Sequence, residues 1–283
     1  MYIHKDFAMR QARRFYQQGL TLIELLVVLV ILVALAGILI PQLPNMITKA
    51  HTASSATSLG EANKAVQHFE QLYLKDPNNL DNLVPDATGA NLIDYLPALT
   101  PTSTTTASGT DVIPVTLDTN SFAALNAAGI TTVSNLVATK AGLDSNNGTP
   151  TFNPYNTSTP VTTLTSTSVV SGLAVSAVVK TLRPNAGAKD VYVAFGIGQN
   201  SDLTGHTINT APYHFDDDTT AQAVDKYTRF LAVYKVEGTS TDGTTSVALS
   251  GPAQFVGVVG MHSDGVINSG NEVGDYLNTN KLN

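Results

Sequence analysis

Residues 19–41 read GLTLIELLVVLVILVALAGILIP. From residue 20 to residue 40 the run carries one charge, Glu24, and at about 1.5 Å per residue it is long enough to cross a ~30 Å hydrocarbon core. The apolar side chains go all round the predicted helix rather than along one stripe. That distribution suits lipid or the centre of a helical bundle, not the flank of a soluble domain. Pro41 closes the run. An ordinary secretory signal has an apolar stretch of about 7–15 residues followed by its cleavage site. Here the run is longer and the polar-to-apolar junction comes before it, at Gly19, a poor helix residue that leaves the backbone accessible.

Upstream, residues 1–19 (MYIHKDFAMRQARRFYQQG) set Lys5, Arg10, Arg13 and Arg14 against Asp6, a net of +3 in a chain of −7, which leaves −10 for the remainder. Basic residues beside a span stay on the cytoplasmic side, so the acidic body is expected outside the cytoplasm. The 283 residues include no cysteine, which excludes disulfides, a thiol nucleophile and thiolate metal sites. Beyond the span, Ser, Thr, Asn and Gly are abundant and charges sparse, as in an exported β-rich surface.

The string Gly19-Leu20-Thr21-Leu22-Ile23-Glu24-Leu25-Leu26 resembles the cleavage and methylation motif of type IV prepilins and of the pseudopilins of type II secretion. The resemblance implies that a membrane aspartic protease cuts after Gly19 and N-methylates Leu20, which stands where the family usually has phenylalanine. Pro41 falls where many members carry a helix-kinking proline. The resemblance covers residues from about 10 to 75.

An ionised side chain at the centre of a span costs roughly 2.5–3.5 kcal/mol, so Glu24 needs a compensating partner. Cleavage would give Leu20 a free α-amine, and residues four apart share a helix face. Methylation keeps the positive charge. The carboxylate can therefore meet that amine in its own chain or in a neighbour; the resemblance implies the intersubunit pairing, which sets axial register as a filament grows. Ala34, Ala36 and Gly37 allow close helix approach in such a bundle.

Beyond Pro41 the pattern predicts a second helical half with one face at Leu59, Ala62, Val66, Phe69 and Tyr73, weakened at Pro44 and Gly60 and ended by Asp76-Pro77-Asn78-Asn79. Residues 80–99 read as helical or irregular, and residues 100–110, rich in Ser and Thr, as a loop. Residues 121–140 suggest two short helices joined at Ala128-Gly129-Ile130. With only Lys140 to meet phosphate, that pair is a packing unit and no nucleic acid is expected as a partner. After a polar tract at 146–168, runs at 169–179, 191–197, 229–236 and 253–259 read as strands, the last two joined so that a C-terminal antiparallel meander lies on the long helix.

Common zinc, serine-hydrolase and P-loop strings are absent, and no catalytic residue is assigned. Gly196-Ile197-Gly198-Gln199-Asn200-Ser201 imitates a dinucleotide loop but lacks its third glycine, and reads as a strand-end turn. Asp216-Asp217-Asp218 reads as a solvated turn. The C-terminal loop, with Asp264, Asn268, Asn271, Glu272 and Asp275 among glycines, has the oxygen ligands calcium prefers; major pseudopilins bind calcium in such a loop, but no ligand is assigned and no cofactor is required. His206 and His214 read as surface histidines.

These readings combine into an α+β, pilin-like fold whose long N-terminal helix, membrane-spanning in its first half, packs on a C-terminal antiparallel β-sheet head. The expected parts are a basic leader (1–19), a transmembrane and assembly helix (20–40), an amphipathic helix half (41–76) and a β-rich head (77–283). The processing residues are Gly19 and Leu20, and the assembly residues Glu24 and Pro41. The expected role is a non-enzymatic subunit of a type IV pilus-like filament. Its implied partners are like and sibling pilins, prepilin peptidase, an inner-membrane platform and an ATPase acting indirectly. It would begin as a single-pass inner-membrane protein, leader cytoplasmic and head outside, and end in a periplasmic pseudopilus or a surface pilus. The alternatives are a type II secretion pseudopilus subunit specifically, a permanently anchored surface binding module and, last, an anchored hydrolase.

Overall fold

The computed structural model describes residues 21–40, 43–85, 91–96, 111–136, 161–212, 226–262, 265–267 and 270. The chain divides into two units, Met1–Ile47 and Thr48–Asn283. The first contains helix α1 (Leu22–Leu39), in which no residue is buried. Thr21 starts it with extended backbone and a side chain that accepts from Glu24 N–H. Val and Ile are middling helix formers in water, so this sequence is built for surroundings in which the backbone must bond internally and side-chain apolarity is matched by the solvent.

Helix α2 (Leu43–Tyr73) begins just before the boundary between the units. Pro44 lies in its first turn, where a missing N–H is tolerated. From Thr48 onward it belongs to the second unit, and Thr52, Ser55, Leu59, Ala62, Val66 and Phe69 form its buried line. This alternating three- and four-residue spacing is the period of one helix face. Four of the five expected face residues are in the core; Tyr73 is 44 % exposed, a correction to the reading.

The head is built on one ten-stranded sheet. Its strands are β1 (Leu80–Asn82), β2 (Val112–Thr116), β3 (Thr132–Asn135), β4 (Val161–Thr163), β5 (Val169–Leu173), β6 (Val191–Gly196), β7 (Leu231–Thr239), β8 (Ser246–Ala248), β9 (Gln254–His262) and β10 (Gly265–Ile267). The main path runs β10-β9-β7-β6-β1-β3-β4, with β5 joining β2 to β6 and β8 on β7. The expected C-terminal meander is there: β6, β7, β9 and β10 pair antiparallel in succession. The sheet is not purely antiparallel, since β1 and β3 are parallel.

Both faces of this sheet are covered. On one, Leu59, Val66 and Phe69 of α2 and Leu125 of helix α3 (Thr119–Ala128) pack with Val193, Phe195, Ala232 and Tyr234. On the other, Val178 of helix α4 (Val175–Thr181) and Leu83, Ile93 and Tyr95 pack with Tyr192, Ala194, Leu231 and Val233. Burial on both faces is why β6 and β7 appear in the sequence as unbroken apolar runs.

Three local readings change. Residues 80–99 open with a strand, β1, rather than a helix or an irregular piece. At the expected start of the second helix within 121–140, Gly129 takes φ 95° and ends α3, and the described residues enter β3 instead. The run at 169–179 is not one strand; β5 ends at Leu173 and α4 follows, with Ala177, Val178 and Thr181 turned inward at helical spacing. Thr181 Oγ1 donates to Ala177 O at 2.7 Å, which satisfies its buried hydroxyl within the helix.

Candidate processing and assembly site

The first turn of α1 is organised by two side chains. Thr21 N–H donates to Glu24 Oε2 at 2.8 Å and Thr21 Oγ1 donates to the same oxygen at 2.9 Å, while Glu24 N–H donates back to Thr21 Oγ1 at 3.3 Å. This is a capping box, which meets donors that the helix start would otherwise leave bare. A carboxylate there is also favoured by the helix dipole. Glu24 therefore holds a fixed position in the helix's first turn, with Oε2 bound and Oε1 free of partners among the described residues. Thr21 is the capping partner of Glu24 that the sequence reading passed over; its signal was the Thr-x-x-Glu spacing before an apolar run.

Leu22, Ile23, Leu25 and Leu26 beside this carboxylate are all exposed, as are the larger side chains onward to Ile40. Among the described residues α1 is the one helix long and apolar enough to cross a membrane. The other expected site residues, Gly19, Leu20 and Pro41, lie outside the described residues. So do Asp216-Asp217-Asp218, His214, the Ser/Thr-rich stretch at 100–110 and the oxygen-bearing residues of the C-terminal loop. Within that loop, residues 265–267 form β10, and Val266 N–H donates to Asp111 Oδ2 at 2.9 Å.

Elsewhere in the head the chemistry is structural. Residues 198–201 form the expected turn after β6, with Ser201 N–H donating to Gly198 O at 3.3 Å. His206 stands edge-on to Phe69 and Tyr73. Among the described residues no group of three or more His, Asp or Glu side chains is placed to hold a metal ion. Among the described residues Asp190 is the best-served carboxylate: it accepts from Lys235 Nζ at 2.7 Å, Tyr192 Oη at 2.9 Å, Gly187 N–H at 3.0 Å and Thr239 N–H at 2.8 Å. Burial alone would raise its pKa, but Lys235 and the hydrogen bonds outweigh it and hold the group at about 2. The carboxylate substitutes for a strand partner where β7 runs past the start of β6.

Comparison with protein families finds the prokaryotic N-terminal methylation motif over residues 14–40. The chain thus carries the signature of type IV prepilins and pseudopilins. The matched span takes in Gly19, Leu20, the Thr21–Glu24 capping box and the whole of α1. No curated protein and no solved structure matches the chain.

Proposed function

We propose that this chain is the precursor of a filament subunit of the type IV pilus and pseudopilus kind. Prepilin peptidase removes residues 1–19, Leu20 becomes the methylated first residue, and α1 passes from the inner membrane into a bundle of like helices while the head stays outside the cytoplasm. The observation that carries the reading is α1 itself: a helix with no buried residue, whose one ionisable group is a carboxylate fixed in its first turn, within the methylation motif. An apolar rod exposed on every side is satisfied by lipid or by copies of itself, and moving from one to the other exposes no apolar surface to water.

Glu24 supplies direction. Its carboxylate is tied to Thr21, which follows in sequence the residue whose amine cleavage would free, and a buried carboxylate favours a site with a cation in reach. A neighbour's Leu20 amine offers that cation at one axial offset only. The subunit performs no catalysis in this scheme. Cleavage and polymerisation are common to the pilus and the secretion pseudopilus, and the proposal stands at the level they share.

The test is Glu24→Leu expressed beside the unaltered chain. Leader removal is expected to persist, because the cut lies five residues upstream, while incorporation into sheared filaments falls at least tenfold, roughly the loss of 1.4 kcal/mol per contact. Normal incorporation of the variant would remove the assembly role given to Glu24.

A further inference from the structure

Asp76, three residues past the end of α2, is only 5 % exposed. Its carboxyl makes no hydrogen bond among the described residues, and Oδ1 is fully enclosed. An ionised carboxylate so placed loses its hydration without compensation, which favours the neutral acid. Burial first, and the charge of Glu70 second, raise its pKa from 3.8 to about 7.

The groups around it offer no relief. Tyr234 on β7 is wholly buried and its hydroxyl too has no partner; burial, then Asp76 and Glu70, push that hydroxyl far above its ordinary pKa. The Lys75 stem is directed over Gly129. His206 is engaged edge-on with Phe69 and Tyr73. Asp202 accepts from Asn78 N–H and Asn79 Nδ2.

The backbone before Asp76 is under strain. Leu74 at φ 54° and Asn79 at φ 56° are both left-handed, and Leu74 is a branched side chain, 90 % exposed, at a helix exit that usually takes glycine. Four backbone bonds hold the segment: Leu74 N–H to Glu70 O (2.8 Å), Asp76 N–H to Ala128 O (2.8 Å), Asn79 N–H to Thr132 O (3.0 Å) and Asp202 N–H to Asn78 O (3.1 Å); Asn78 Oδ1 also accepts from Thr131 N–H and Thr132 N–H.

We propose that Asp76 is a proton-controlled latch: with its carboxyl protonated, residues 74–79 close against the head, and with it ionised they open. In the open segment the carboxyl is hydrated and titrates near its ordinary 3.8, against about 7 when closed. The raised value means that closure is fully favoured below about pH 4, weakens as pH rises and levels off above about pH 7. Across that window the opening equilibrium grows by up to about tenfold per pH unit. The latch belongs to the head and operates whether or not the chain polymerises.

The experiment is hydrogen exchange on the full chain in detergent micelles, followed by mass spectrometry of peptides covering residues 74–79, at pH 5 and pH 8, corrected for the intrinsic rise of exchange with base. Protection in the unaltered chain is expected to fall at least about tenfold, and in Asp76→Asn to stay level. Parallel loss in both would overturn the latch. Should Asp76→Asn not fold, Glu70→Gln, at an exposed position, gives the second reading: removing the like charge is expected to raise protection at pH 8, and no change there would overturn the proposal.

Discussion

Three carboxylates show how surroundings decide what one chemical group does. Glu24 caps the helix that carries it. Asp76 lies enclosed without a partner. Asp190 gathers donors from Lys235, Tyr192, Gly187 and Thr239, and its effect on stability follows from that set. Asp190→Ala leaves Lys235 without its partner and the Gly187 and Thr239 N–H groups unmet, a cost of about 2–3 kcal/mol because Lys235 keeps some solvent. A lowered urea midpoint with an unchanged slope is the expected result. The pH dependence has the opposite sign to that of Asp76: the folded value of about 2 is below the ordinary 3.8. The Asp190 contribution is therefore complete above about pH 4 and is lost as pH falls through 2. Acid unfolding of Asp190→Ala should accordingly show a shallower slope between those values.

At the scale of elements, α2 from Thr48 onward is held by its buried line. Phe69 is fully packed beneath Tyr73 and beside the sheet, so Phe69→Ala is expected to cost roughly 3–5 kcal/mol through lost burial and the cavity left behind. Tyr73→Ala, at an exposed position, should cost under about 1 kcal/mol. Thermal unfolding of the two variants side by side checks the difference. The same helix shows what the sequence made legible. Its face follows from spacing alone, as do the apolar strands β6, β7 and β9, because each buries side chains whose type announces it. Strands β1 and β3 escaped because Asp81, Asn82, Ser134 and Asn135 are polar yet buried. Asn82 is served across strands, its Nδ2 donating to Asn135 Oδ1 at 3.3 Å and its Oδ1 accepting from Ser171 N–H at 2.9 Å, and such pairing cannot be read from either segment alone. Helix α4 escaped for the converse reason. Its Val-rich sequence favours a strand locally, and the packing of Ala177 and Val178 under the sheet overrides that preference. Of the site, Glu24 was legible as a lone charge in an apolar run. Its partner Thr21 was legible only through the Thr-x-x-Glu spacing that the capping box makes explicit.

For the whole molecule, the two units answer to different solvents. The head completes its own core on both faces of one sheet, whereas α1 leaves every side chain outward. Under the proposed function such a chain would stay in lipid until its basic leader is removed, and would then find in its own copies what the membrane supplied. The most direct test is mass spectrometry of the N-terminus of the chain recovered in sheared filaments. The account predicts a chain beginning at residue 20 with a methylated leucine amine. A chain that keeps Met1 and its basic leader, found in the membrane and absent from filaments, would contradict it.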